Sequence, residues 1–245
     1  THTLPGGASL VGYLREETTE MPAFNTRPAM LILPGGGYAY CSSREADPVA
    51  MQFLQAYNVF ILYYTCRGQE SQPALRWQPL IDAAGAILHI RKNAVQFHID
   101  PAKVAVCGFS AGGHLAASTA ILWDAEPVRQ ALGICGKEAL PDAVVLGYPV
   151  ITSGEFRHDG SICNLCGDDA ALRGTMSLEN QVSDGLPPFY IWHTVEDASV
   201  PVQNSMLLAT ALTAHKVPFE LHLFAHDGHG TSTCTQEVNT PNRHN

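Results

Sequence analysis

Residues 104–122 read VAVCGFSAGGHLAASTAIL. Val104 to Cys107 are apolar without polar alternation, as in a strand covered on both faces, whereas Gly112 to Leu122 run at helical spacing. Between them Gly108-Phe109-Ser110-Ala111-Gly112 makes a Gly-x-Ser-x-Gly pattern. A chain that turns this sharply from strand to helix strains its central residue and exposes that side chain, while side chains two positions away would strike neighbouring elements. Glycine at 108 and 112 removes those collisions. Composition alone yields the bare pattern about 0.1 times in such a chain, so the strand before and the helix after give it meaning. An inert serine in a glycine-rich turn is the plainer alternative, and the flanking elements count against it.

Outward from this turn the same alternation recurs. Ala29 to Leu33, Val59 to Tyr64, Ala143 to Leu146 and Phe189 to Trp192 are further apolar runs, with a last strand expected at Phe219 to Phe224. Helical spacing predicts Pro48 to Tyr57 with Asp47 as N-cap, Pro73 to Phe97 with a start or kink at Pro79, and Val202 to His215. Strands alternating with helices indicate α/β architecture around a mostly parallel sheet. Residues 151–186 break the rhythm, being rich in Gly, Asp, Asn and Ser. They read as an excursion over the sheet's edge, a cap or insertion in an otherwise single domain spanning 1–245. The bland alternative is a surface loop remote from any ligand.

A serine hydroxyl is a weak nucleophile at neutral pH. It needs a base to take its proton and a third group to orient that base. Downstream, in the order acid then His, the sequence offers His193-Thr194-Val195-Glu196-Asp197 after one strand and His226-Asp227-Gly228-His229-Gly230 after the next. Asp197 and Glu196 compete for the acid, and either could instead cap the helix beginning near Pro201. Among the 11 His, His222 lies within a strand and His193 precedes the acid. His229, flanked by glycines and competing with His226, is the stronger candidate for the base role. A tetrahedral oxyanion needs backbone N–H donors. Ala111 follows the serine, and Leu33-Pro34-Gly35-Gly36-Gly37-Tyr38 follows an early strand, so Gly36, Gly37 and Ala111 are the expected donors.

The composition excludes several classes. At 46% hydrophobic and 15% charged, the 245 residues can bury a large core, which argues against disorder or a coiled coil. A net charge of −9 without a basic run argues against nucleic acid. The longest apolar runs fall far short of the ~20 residues of a membrane helix. Seven scattered Cys fit a reducing, cytoplasmic setting, although a chain starting at Thr1 leaves secretion open. Cys163-Asn164-Leu165-Cys166 has no second pair and only His158 nearby, too few ligands for a structural zinc. No dinucleotide or phosphate-loop motif is present, so no metal and no cofactor are expected. A homo-oligomer is left open.

At Leu33-Pro34-Gly35-Gly36-Gly37-Tyr38, at Gly108 through Ala116 and at Asp197-Ala198-Ser199-Val200-Pro201-Val202 the chain resembles the α/β-hydrolase esterases. It is most similar to their acetyl xylan esterase-like and feruloyl esterase-like branch, near the hormone-sensitive lipase group, from about Arg27 to Gly230. The resemblance implies the α/β-hydrolase fold, with helices on both faces of the sheet. It implies Ser110, Asp197 and His229 as nucleophile, acid and base, in a serine carboxylesterase acting through an acyl-enzyme on small esters, acyl groups on sugars among them. Two features depart from the family pattern. Pro34 stands where many relatives carry His, and Thr231 to Asn245 is short and polar where a closing helix is usual.

Overall fold

The computed structural model describes residues 1–238. In chain order the strands are β1 (His2–Thr3), β2 (Ser9–Tyr13), β3 (Arg27–Leu33), β4 (Asn58–Tyr63), β5 (Ile99–Phe109), β6 (Ala143–Gly147), β7 (Phe189–Thr194) and β8 (Phe219–Phe224). They form one sheet in the order β1-β2-β4-β3-β5-β6-β7-β8. β1 pairs with β2, and β2 with β4, antiparallel, whereas β4 through β8 are mutually parallel. The helices are α1 (Asp47–Phe53), α2 (Gln78–Lys92), α3 (Ala111–Ile121), α4 (Glu126–Leu132), α5 (Asp159–Cys166), α6 (Ala170–Thr175) and α7 (Gln203–Ala214). This is the α/β-hydrolase fold.

The apolar strands have no polar face because both faces are covered. On β3, Leu31 and Leu33 enter one buried cluster with α2, α3 and α7, while Met30 and Ile32 enter another with Val49 and Ala50 of α1. Strand order reverses beside β3: the chain runs from β3 outward to β4, then crosses back to β5 on the other side. The carboxyl ends of β3 and β5 therefore open a crevice, the usual ligand position in such sheets.

Four expectations need correction. Asp47 is not an N-cap: it lies inside the first turn of α1, makes no capping hydrogen bond, and accepts one from the Tyr13 hydroxyl. α1 stops at Phe53 rather than Tyr57. α2 ends at Lys92 rather than Phe97, on the basic residues His89, Arg91 and Lys92, although its start is as expected, at Gln78 with Pro79 in the first turn, where a missing N–H costs nothing. Residues 151–186 do not leave over an edge. They join β6 to β7, neighbours inside the sheet, whose free edges are β1 and β8. α5 and α6 lie in this segment. Of the fifteen C-terminal residues from Thr231 on, 239–245 fall outside the described part, and 231–238 contain no helix. Among the described residues no helix is long and apolar enough to cross a membrane.

Candidate active site

Ser110 sits between β5 and α3 with φ 54° and ψ −121°, a conformation L-residues rarely adopt. The flanking glycines make this turn feasible. A Cβ on Gly108 would lie 2.1 Å from the Gly112 carbonyl oxygen, and one on Gly112 2.1 Å from that of Leu33. The turn is also fixed by the Ser110 N–H donating to the Gly147 carbonyl and by its own carbonyl accepting from Val150 N–H, each at 3.0 Å.

The Ser110 hydroxyl donates to Nε2 of His229 at 2.8 Å, and Nδ1 of His229 donates to Oδ2 of Asp197 at 2.6 Å. A ring held this way carries its proton on Nδ1 and turns a lone pair toward the serine. Asp197 is fully enclosed. Burial pushes its carboxyl up, but hydrogen bonds from His193 and His229, the charge of His229 and the Val200 N–H hold it well below the usual carboxylate range. Its Oδ1 accepts from Ser199 and Val200 N–H, both at 2.9 Å. The competing pair has a different fate: Glu196 meets His226 at 3.0 Å on the surface, away from Ser110.

After β3, the loop through Gly36 (φ 128°) and Gly37 (φ 64°) curls over Ser110. At Gly36 a Cβ would lie 2.0 Å from the Tyr40 carbonyl oxygen, so this approach requires glycine. The Gly36 and Gly37 N–H groups make no hydrogen bond among the described residues, and Ala111 N–H, first in α3, has no intrahelical acceptor. Together with Ser110, His158, Ser199 and His229 the loop borders a cavity of about 260 Å³. A larger hollow of about 600 Å³ lies on the α1 side of the sheet over Phe109, Tyr190 and Trp192, and none of Ser110, Asp197 or His229 lines it. At the start of this loop the Pro34 carbonyl accepts from the Tyr64 hydroxyl at 2.7 Å.

Comparison with known proteins matches residues 19–151 to the family designated BD-FAE. The chain belongs to the BD-FAE family. Residues 167–243 also match the prolyl oligopeptidase family. Endo-1,4-beta-xylanase B of Butyrivibrio fibrisolvens is 41% identical to this BD-FAE chain over 216 residues, which are 86% of the chain and 33% of that protein. An acetylxylan esterase of Xylanibacter ruminicola is 30% identical over 182 residues, 71% of the chain and 34% of that protein. The chain thus spans about a third of the length of these curated relatives. The solved acetyl ester-xyloside bifunctional hydrolase of Caldicellulosiruptor lactoaceticus superposes with a TM-score of 0.79 at 37% identity, covering 93% of this chain and 81% of that one.

Four further residues of this BD-FAE chain surround the candidate site, and the sequence motifs do not mark them. Glu45 is buried and accepts from Gly35 N–H at the base of the glycine loop and from the Tyr148 hydroxyl, both at 2.7 Å. Tyr148 lies edge-on to His229 with centroids 4.9 Å apart, and its oxygen accepts from Ser232 N–H. One carboxylate thereby ties the glycine loop to the ring and to the chain after it. Its only sequence signal is a charge beside the apolar start of α1. His193, set aside as a base by chain order, lies fully buried under the acid. Its Nε2 is 2.9 Å from the Val200 carbonyl and 3.3 Å from Asp197, and its Nδ1 meets Ser205 at 2.8 Å. His158, noticed above only as a lone neighbour of the Cys-x-x-Cys, borders the cavity. Those cysteines lie on α5, Cys163 exposed and Cys166 buried.

Proposed function

We propose that the chain is a serine carboxylesterase for small carboxylic esters, acetyl groups on carbohydrates among them. The observation that carries this reading is the unbroken hydrogen-bonded path from Asp197 through His229 to Ser110, ending beside a loop of free N–H donors. Ser110 Oγ attacks the ester carbonyl carbon while its proton passes to Nε2 of His229. The resulting oxyanion is held by the N–H groups of Gly36, Gly37 and Ala111, each donor contributing roughly 3 kcal/mol to the transition state. Collapse expels the alcohol, which takes the proton from His229 and leaves the acyl group on Ser110. Water then repeats the sequence, releasing the carboxylic acid. Asp197 keeps the imidazole in the required tautomer and offsets its transient charge.

A cavity of about 260 Å³ suits a short acyl group. The names of the relatives, an acetylxylan esterase and an acetyl ester-xyloside hydrolase, favour acetyl esters of sugars within that range. We read residues 151–186 as a cap on one domain, because Ile162, Leu165, Leu172 and Met176 share the buried cluster of α3. A second reading, an amidase or peptidase, draws on the prolyl oligopeptidase match.

Hydrolysis of p-nitrophenyl acetate, against the matching anilide, tests the proposal. The ester is expected to be cleaved and the anilide spared. Ser110→Ala is expected to lose at least ~10⁴-fold in kcat while keeping its fold, and a fluorophosphonate is expected to label Ser110 alone. Undiminished turnover by Ser110→Ala would overturn it.

A further inference from the structure

His158 does two things with its two ring nitrogens. It caps α5: Ser161 N–H donates to Nδ1 at 3.2 Å, and the Ser161 hydroxyl lies 2.8 Å from the same atom. A nitrogen that accepts from a backbone N–H carries a lone pair, so the proton of the neutral ring is on Nε2. That Nε2 has no hydrogen-bond partner among the described residues, although the ring borders the cavity above Ser110. Burial and the charge of His229 keep His158 below the ordinary histidine range, so the ring is neutral at neutral pH and the donor is retained. The ring is also firmly placed. Asn164 of α5 donates to the Gly37 carbonyl at 2.9 Å, and Cε1 of His158 would lie 3.9 Å from a Cβ on Gly37.

The position selects what this donor can meet. The carbonyl oxygen of a bound ester is already faced by Gly36, Gly37 and Ala111. His229 delivers its proton to the departing alcohol oxygen, and His158 is near enough to feel its charge. Nε2–H is then left for an acceptor a few bonds beyond that oxygen, on the alcohol half.

We propose that His158 is a specificity-determining residue whose Nε2–H donates to a free hydroxyl next to the esterified one, so that the site favours monoesters of vicinal diols over esters of simple alcohols. The proposal rests on the esterase reading and deepens it. It requires no covalent role for His158.

The test compares 2-hydroxyethyl acetate with propyl acetate, equal in heavy atoms and differing by one hydroxyl. His158→Asn supplies a side-chain oxygen to cap Ser161 N–H but lacks the distal donor. The ratio of kcat/KM for the hydroxylated over the plain ester is expected to fall three- to tenfold in His158→Asn, the loss of one neutral hydrogen bond. A ratio equal to that of the unsubstituted protein, with both rates falling together or neither, would reduce His158 to a helix cap and overturn the proposal. Binding of both esters in a Ser110→Ala background, with and without His158→Asn, measures the same preference without turnover. If the unsubstituted protein cleaves neither ester, the esterase reading fails, and the binding ratio alone then decides on His158.

Discussion

Two carboxylate–histidine pairs stand side by side after β7 and β8. Asp197 and His229 have side-chain exposures of 0% and 21%, while Glu196 and His226 have 58% and 87%. The groups are the same and the acids are adjacent in the chain, yet only the inner pair reaches Ser110. The inner carboxylate is enclosed and receives three hydrogen bonds, from Ser199, Val200 and His229, with His193 Nε2 a further 3.3 Å contact. Each fixes its direction and favours its charged form. The outer carboxylate also lies below the usual range, through its contact with His226, but it stands in water, where such a pair contributes little. What separates the carboxylate proposed as the acid from a surface charge is the enclosure and the donors around it.

Substitution tests this contrast most strongly at the acid itself. Asp197→Asn is expected to lower kcat for p-nitrophenyl acetate by about 10⁴-fold, because the amide no longer selects the His229 tautomer. A loss smaller than tenfold would erase the distinction between the two pairs. Removing the support from below is the milder intervention. His193→Phe is expected to cost about 2 kcal/mol in urea denaturation, by stranding the Ser205 hydroxyl and the Val200 carbonyl, and about tenfold in kcat by loosening Asp197. The pH dependence of stability sharpens the comparison further. The folded carboxyl of Asp197 lies below its unfolded value near 3.9, so its contribution is complete above that pH and is lost as pH falls through the lower folded value. Urea midpoints between pH 5 and pH 2 are therefore expected to fall less steeply in Asp197→Asn than in the unsubstituted protein. Glu196→Gln, the smallest change, is expected to alter kcat by less than about twofold and to leave that slope in place.

The same contrast explains which parts of the molecule are legible in the sequence. The apolar stretches within β3 to β7 declare themselves as unbroken runs, though the largely exposed first half of β5, Ile99 to Lys103, does not, and the turn at Ser110 is declared by glycines that sterics impose. β1 and β2 do not: one is two residues long, the other is SLVGY with a glycine in it, and their pairing is antiparallel at an edge. α5 and α6 are only eight and six residues long, so their apolar faces, Ile162, Leu165 and Cys166 on one and Leu172 on the other, are too brief to stand out as a period, and caps at His158 and Asp169 start them. Glycine spacing marks Ser110 and chain order favours His229, while chain order alone leaves Glu196 beside Asp197 and the family resemblance selects Asp197; the three side chains do meet. Glu45, His193 and His158 reach the site by tertiary approach from other segments, which no local spacing encodes.

The backbone of Ser110 carries one more implication. At φ 54° a glycine would rest there more comfortably than any L-residue, by about 1 kcal/mol. Ser110→Gly would thus relieve backbone strain while removing the proposed nucleophile. On the esterase reading, durability and reactivity compete at a single codon.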